Sequence, residues 1–214
     1  AVFLLLAGVL TMRLFNASLD PFLHLWDERF HALVAKNMME HPLLPTLHDD
    51  PVLDEGVNPG WDRGHIWLHK QPLFLWQIAV AFRLFGVSEF TLRLPSALLA
   101  TLLVFLVYRL GVIAHGQRVG FLGGFFVGTW HFLGELVSGY QGIDHNDVAF
   151  ITYVTASLWA WAEYRTATRR TWVWAVAIGL FSGMAILTKW MVGLLVFAPW
   201  ACDLVTSRRR QALE

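Results

Sequence analysis

The sequence predicts an all-α polytopic membrane protein, with six transmembrane helices and a large first extracytoplasmic loop that carries interfacial juxtamembrane helices. Three observations point there. The 214 residues are 56% hydrophobic and only 15% charged, with a mean hydropathy of +0.50, the composition of a chain surrounded largely by lipid. Apolar runs approaching the roughly 20 residues that cross a hydrocarbon core recur along it. The acidic residues gather in one place, Leu19 to Phe90, where ten Asp and Glu stand against five Lys and Arg.

Composition also excludes. A net charge of zero argues against a nucleic-acid partner, and the single Cys202 provides neither a disulfide framework nor a Cys-based metal site. The chain opens on Ala1 inside an apolar run and closes at Glu214, just past a basic cluster. It reads as part of a longer protein. A cleaved signal peptide is the weaker reading of the opening, because no cleavage site is evident.

Residues 1–19 form the first expected span, interrupted by Arg13 and ended by Asp20-Pro21. From Asp27 to Met39, apolar residues at Phe30, Leu33, Val34 and Met38 fall on one helical face. Asp27 and Glu28 then sit at a helix N-terminus, where negative charge is favoured, so a simple cap is one reading of both. Residues 41–64 are punctuated by proline and glycine and read as irregular. Pro72–Phe85 is too short to span: at ~1.5 Å per residue it covers about 21 Å of a ~30 Å core. It is expected to lie in the interface, with Trp67 and Trp76 as aromatic anchors.

Five further spans are expected at Leu92–Ile113, Val119–Val137, Val148–Ala162, Trp172–Thr188 and Met191–Val205, within residues 91–206. Arg109 with Arg118, then Arg165, Arg169 and Arg170, then Arg208, Arg209 and Arg210 occupy alternate connections. The positive-inside rule makes these cytoplasmic and puts the acidic loop, 20–90, on the other side. Gly120, Gly123 and Gly124 read as a close helix-packing surface rather than a phosphate-binding loop.

This topology collects ionisable residues on the extracytoplasmic side: Asp27 and Glu28, His69 and Lys70, Asp144, His145, Asn146 and Asp147, and Lys189. Such residues at membrane depth are functional candidates by default. Lys70 is suited to a lipid-linked phosphate as a compact ammonium charge, or is a snorkelling lysine beside an apolar helix. Asp144 and Asp147 can cap the following helix; with His145 they can also hold a divalent metal, the less favoured reading. Lys189 is a candidate ligand or an interfacial anchor beside Trp190. Arg13 has no evident partner in the sequence.

Taken in order, Trp26-Asp27-Glu28, Leu68-His69-Lys70-Gln71-Pro72-Leu73 with Trp76, Phe85-Gly86-Val87-Ser88-Glu89-Phe90, Arg93-Leu94-Pro95-Ser96 and Leu187-Thr188-Lys189 resemble the membrane glycosyltransferases of the GT-C superfamily. Within it they resemble the lipid A aminoarabinose transferases and the dolichyl-phosphate-mannose protein mannosyltransferases. The resemblance covers nearly the whole chain, as the N-terminal part of the catalytic transmembrane module.

It implies a glycosyltransferase of the bacterial inner membrane, acting on the extracytoplasmic face. A sugar passes, with inversion, from a polyprenyl-phosphate donor to a lipid, glycan or protein acceptor, with no cofactor. Asp27 would be the general base, with Glu28 beside it, and Asp144 or Asp147 the second acid. Lys70 would neutralise the leaving phosphate, with His69, Lys189, His145 and Trp67 lining the substrate site. Two other classes compete: a secondary transporter, which should show helices broken within the membrane, and a non-catalytic lipid-binding subunit, which needs no Asp27.

Overall fold

The computed structural model describes residues 1–48, 60, 62, 64–140 and 146–211, with side chains beyond 203 only in part. In chain order the elements are α1 (Val2–Leu19), α2 (Asp27–Asn37), α3 (Pro72–Phe85), α4 (Glu89–His115), α5 (Gln117–Thr129), α6 (His131–Ser138), α7 (Asn146–Thr166), α8 (Thr171–Lys189), a 3-10 segment (Trp190–Phe197) and α9 (Ala198–Gln211). One antiparallel bridge, Thr46 with Ile66, closes the long loop on itself.

Local chemistry sets the ends of the elements. Pro72 lies in the first turn of α3, where its missing N–H goes unnoticed, and Gly86 stops the helix at φ 86°. The α4 helix begins with a reciprocal cap: Ser88 Oγ accepts the Thr91 N–H at 3.2 Å and Thr91 Oγ1 accepts the Ser88 N–H at 3.0 Å. Gly116, at φ 90°, ends α4 and reverses the chain. The return helix α5 lies against α4 so closely that a Cβ on Gly120 would come within 2.5 Å of the Tyr108 carbonyl. This is the packing role expected for the glycine run.

Side-chain contacts fix the directions of the helices. Along α5 and α6, Gly124 faces Leu5, Gly128 faces Val9 and Gly134 faces Arg13, so this strand of the bundle runs parallel to α1. The α7 helix runs parallel to α4: Thr152 donates to the Leu99 carbonyl at 3.2 Å, and Arg109 pairs with Glu163 one turn before the end of α7. At Trp190 the chain reverses again, placing Gly193 on Ile186, and Arg165 at the far end of α7 pairs with Asp203 of α9. The 3-10 segment and α9 therefore retrace α8.

Among the described residues, three stretches are long and apolar enough to cross a membrane: Val2–Leu19, Glu89–His115 and Thr171–Asp203. The third is the α8 hairpin rather than one 33-residue rod. The first and second agree with the expected spans. Pro72–Phe85 is a helix with the expected bounds, burying Phe74, Leu75, Ile78 and Phe82 while Leu84 and Phe85 point outward.

Three expectations need correction. Val119–Val137 is not one helix: Trp130 leaves helical geometry at φ −66°, ψ 116° and divides it into α5 and α6. Met191–Val205 begins as 3-10 rather than α-helix. Trp67 is not an interfacial anchor, being 1% exposed. Its ring stacks on Phe30 and lies edge-on to His31 in the core beneath the loop.

Candidate active site

The α2 and α3 helices pack side by side, and their N-termini bring Asp27, the first residue of α2, to Lys70, two residues before α3. Asp27 Oδ1 and Lys70 Nζ lie 3.9 Å apart, both side chains about four-fifths buried. Two helix N-termini beside a lysine favour negative charge, whether carboxylate or phosphate. His69 is exposed, and its ring leans on Trp67 at 5.7 Å between centroids. Trp67 thus stands behind His69, inside the fold.

The backbone entering α2 is strained. Trp26 has φ 66° and ψ −119°, a region a bulky residue rarely occupies. Such positions persist only where the surroundings hold them, and they cluster at functional sites. Glu28, the residue after Asp27, ties down the approach to this turn. Glu28 is 2% exposed and accepts from Arg93 through both oxygens, Nε to Oε1 at 2.7 Å and Nη2 to Oε2 at 3.1 Å. Its Oε2 also accepts the His24 N–H at 2.7 Å. The remaining Arg93 donors go to backbone carbonyls of the approach to α2: Ala17 at 3.2 Å, Asp20 at 2.8 Å and Phe22 at 2.9 Å. One guanidinium thereby joins α4, the end of α1 and the start of α2. Glu28, expected beside Asp27 as a catalytic acid, is enclosed by these partners, and Arg93, which the sequence offers only within the Arg93-Leu94-Pro95-Ser96 motif, supplies most of that enclosure.

A second pair lies at the same end of the bundle. Asp147, in the first turn of α7, pairs with Lys189 at the end of α8. Neighbouring Asn146 donates to the Thr188 carbonyl at 3.1 Å and joins the two helix ends. Like Asp27, Lys189 adjoins a tryptophan at positive φ, Trp190 at 44°. Asp144 and His145 lie outside the described residues. Among the described residues no group of three His, Cys, Asp or Glu side chains is placed to hold a metal.

Arg13 also has a partner that the sequence did not reveal. It is 1% exposed, and its Nη2 donates to the carbonyls of Gly128 at 3.1 Å and Trp130 at 3.5 Å. These carbonyls border the α5–α6 break, so the arginine satisfies backbone acceptors freed by the interruption.

A bundle of apolar helices that joins acids to lysines at one end is the arrangement that the GT-C resemblance implies. The comparisons agree. The family described as dolichyl-phosphate-mannose-protein mannosyltransferase matches residues 69–214, and the chain belongs to that family. An uncharacterized protein of Aquifex aeolicus is 28% identical over 195 residues, 90% of this chain and 35% of the relative. Undecaprenyl phosphate-alpha-4-amino-4-deoxy-L-arabinose arabinosyl transferase 1 of Pseudomonas fluorescens is 30% identical over 130 residues, 59% of this chain and 24% of the relative. The crystal structure of ArnT from Cupriavidus metallidurans in the apo state superposes with a TM-score of 0.72 at 20% identity, covering 96% of this chain and 36% of that one. At that identity the likeness is one of fold. This chain spans about a third or less of the length of these proteins.

Proposed function

We propose that the full protein transfers a sugar, with inversion, from a polyprenyl-phosphate donor to an acceptor on the extracytoplasmic face of the bacterial inner membrane. The observation that carries this reading is the Asp27–Lys70 pair. A carboxylate able to take a hydroxyl proton stands beside an ammonium suited to a phosphate leaving group. Asp27 is the base, Lys70 binds the phosphate, and Asp147 with Lys189 orients the acceptor. Glu28 and Arg93 hold the base in place without touching substrate. His69 and Trp67 support the Lys70 turn.

The pair also sets a requirement. In inverting sugar hydrolysis the two catalytic carboxyls stand ~6.5–9.5 Å apart with the sugar and the attacking water between them. A transfer that places sugar between Asp27 and Lys70 needs comparable room, and 3.9 Å is too short. Lys70 has to turn from Asp27 to the donor phosphate, which its flexible stem permits.

A transporter reading draws on the helix break at Trp130. Arg13 already occupies the Gly128 and Trp130 carbonyls there, which leaves them poorly placed to coordinate a transported ion. The family match is to transferases. The test is transfer of a radiolabelled sugar from a polyprenyl-phosphate donor by the purified full-length protein and by Asp27→Asn. Transfer by the wild type and none by the variant is the expected result. Wild-type transfer rates in Asp27→Asn would reduce that residue to a helix cap.

A further inference from the structure

Beside the α5–α6 break lies a cavity of about 560 Å³ that is separate from both lysine pairs. Its lining includes Arg13 and Asn16 of α1, Asp20, Trp130, Glu135 of α6 and Tyr140. The volume is within the range of sites for small organic groups. We propose that it holds the headgroup of a zwitterionic phospholipid bearing a primary amine, with the phosphodiester on Arg13 and the ammonium between Glu135 and Asp20.

The deep end carries the positive charge. Arg13 is almost fully buried, and two carbonyls occupy part of one of its nitrogens. Its Nε–H is buried with no acceptor among the described residues, and none of their carboxylates pairs with it. A buried guanidinium without a counter-anion is expensive, and a phosphodiester at the end of the cavity that Arg13 lines supplies the opposite charge. The α6 helix closes on the guanidinium at Gly134, where a Cβ would come within 2.6 Å of Arg13 Nη1.

The mouth carries the opposite charge. Glu135 is paired with His131 at 3.1 Å and Asp20 with His24 at 3.2 Å. A carboxylate has several lone-pair sites, and an ammonium can add its N–H donors beside the present partners. Around them Met12, Leu19, Trp130 and Tyr140 expose between 36% and 58% of their surface. They form the apolar and aromatic rim on which acyl chains and the glycerol region can lie. Arg13 sits seven residues before Asp20, about 10 Å from the end of α1 at helical rise, a separation that the length of a phospholipid headgroup and its glycerol region can bridge.

This charge order discriminates among lipids. An anionic headgroup without an amine meets two carboxylates, and a quaternary amine offers them no N–H. The inference does not depend on the transfer reading, because it uses neither Asp27 nor Lys70. The test is native mass spectrometry of the full-length protein released from nanodiscs of equal phosphatidylethanolamine, phosphatidylglycerol and phosphatidylcholine content. Phosphatidylethanolamine is expected to be retained several-fold over the other two. Glu135→Gln should erase that preference without lowering the melting temperature, and Arg13→Lys should lower retention of all three. Equal retention of the lipids by the wild type would overturn the proposal. So would a preference that survives Glu135→Gln, or displacement of the bound lipid by a polyprenyl-phosphate sugar.

Discussion

Arg93 Nε lies 2.7 Å from Glu28 Oε1, and neither side chain is more than 1% exposed. The two residues are 65 positions apart, and their contact fixes where Asp27 stands relative to the membrane helices. Removing one member of a buried pair leaves the other uncompensated, typically at about 3–5 kcal/mol. Arg93→Met and Glu28→Gln are each expected to destabilise the full protein by about that amount, read as a lowered midpoint in thermal unfolding. Arg93→Lys should recover little, because an ammonium cannot reproduce the fork that reaches Glu28 and three carbonyls at once. A Lys variant as stable as the wild type would show that charge alone suffices.

Gly139 presses on the same carboxylate from the other side. Its φ is +67°, and a Cβ there would lie 2.6 Å from Glu28 Oε1. Backbone strain and a clash with a side chain that cannot move act together, so Gly139→Ala should cost about 1–3 kcal/mol. It should also impair transfer more than a surface change of equal stability cost. Unchanged stability and transfer would mean that the α6–α7 connection does not support Glu28.

These residues also show what the sequence could reveal. Hydropathy and punctuation mark α1, α3 and α4 because each is bounded by proline, glycine or a Ser-Thr cap and is predominantly apolar. Asp27 and Lys70 are legible as ionisable residues in an acidic loop, yet their pairing depends on α2 packing against α3. The α5–α6 break at Trp130 has no proline to announce it; its signal lies more than a hundred residues away, at Arg13. Arg93 sits in an apolar run that reads as a span, and only its burial against Glu28 reveals its work. The pairing of Asp147 with Lys189 follows from two helix ends meeting, which no local pattern encodes.

That second pair is part-exposed, with side chains at 38% and 29%, and exposed ion pairs contribute little, roughly 0–1 kcal/mol. Lys189→Met should therefore leave the melting temperature nearly unchanged. If Lys189 orients an acceptor, the same variant should raise the apparent KM for acceptor well before it alters donor binding. Loss of stability with normal kinetics would make the pair a structural tie.

Topology can be read by thiol labelling after replacing Cys202, which is exposed, with serine. Leu43 is 86% exposed in the long loop, and Thr168 is exposed in the connection between α7 and α8. A cysteine at position 43 should react with an impermeant maleimide applied to spheroplasts. One at position 168 should react only after the membrane is opened. The reverse pattern would put the Asp27–Lys70 site on the cytoplasmic side and end the proposed reaction.

The 3.9 Å between Asp27 and Lys70 leads to the most discriminating experiment. If Lys70 must leave Asp27 to receive the donor phosphate, the carboxylate competes with the donor for the ammonium. Asp27→Asn removes that competitor and the proton acceptor together. It should abolish transfer while binding the donor as tightly as the wild type or more tightly. Lys70→Ala should weaken donor binding and turnover together, because the phosphate is charged in both ground and transition states. Lys70→Arg should restore binding only in part, since a planar fork is not a point charge. In the double variant, the gain from removing Asp27 should disappear, because nothing remains to compete for. Donor affinity measured by calorimetry on the wild type and the four variants separates this from a simple ion-pair role. Equal weakening of donor binding in Asp27→Asn and Lys70→Ala would mean that the pair acts as one structural unit, and Asp27 would lose its assignment as the base.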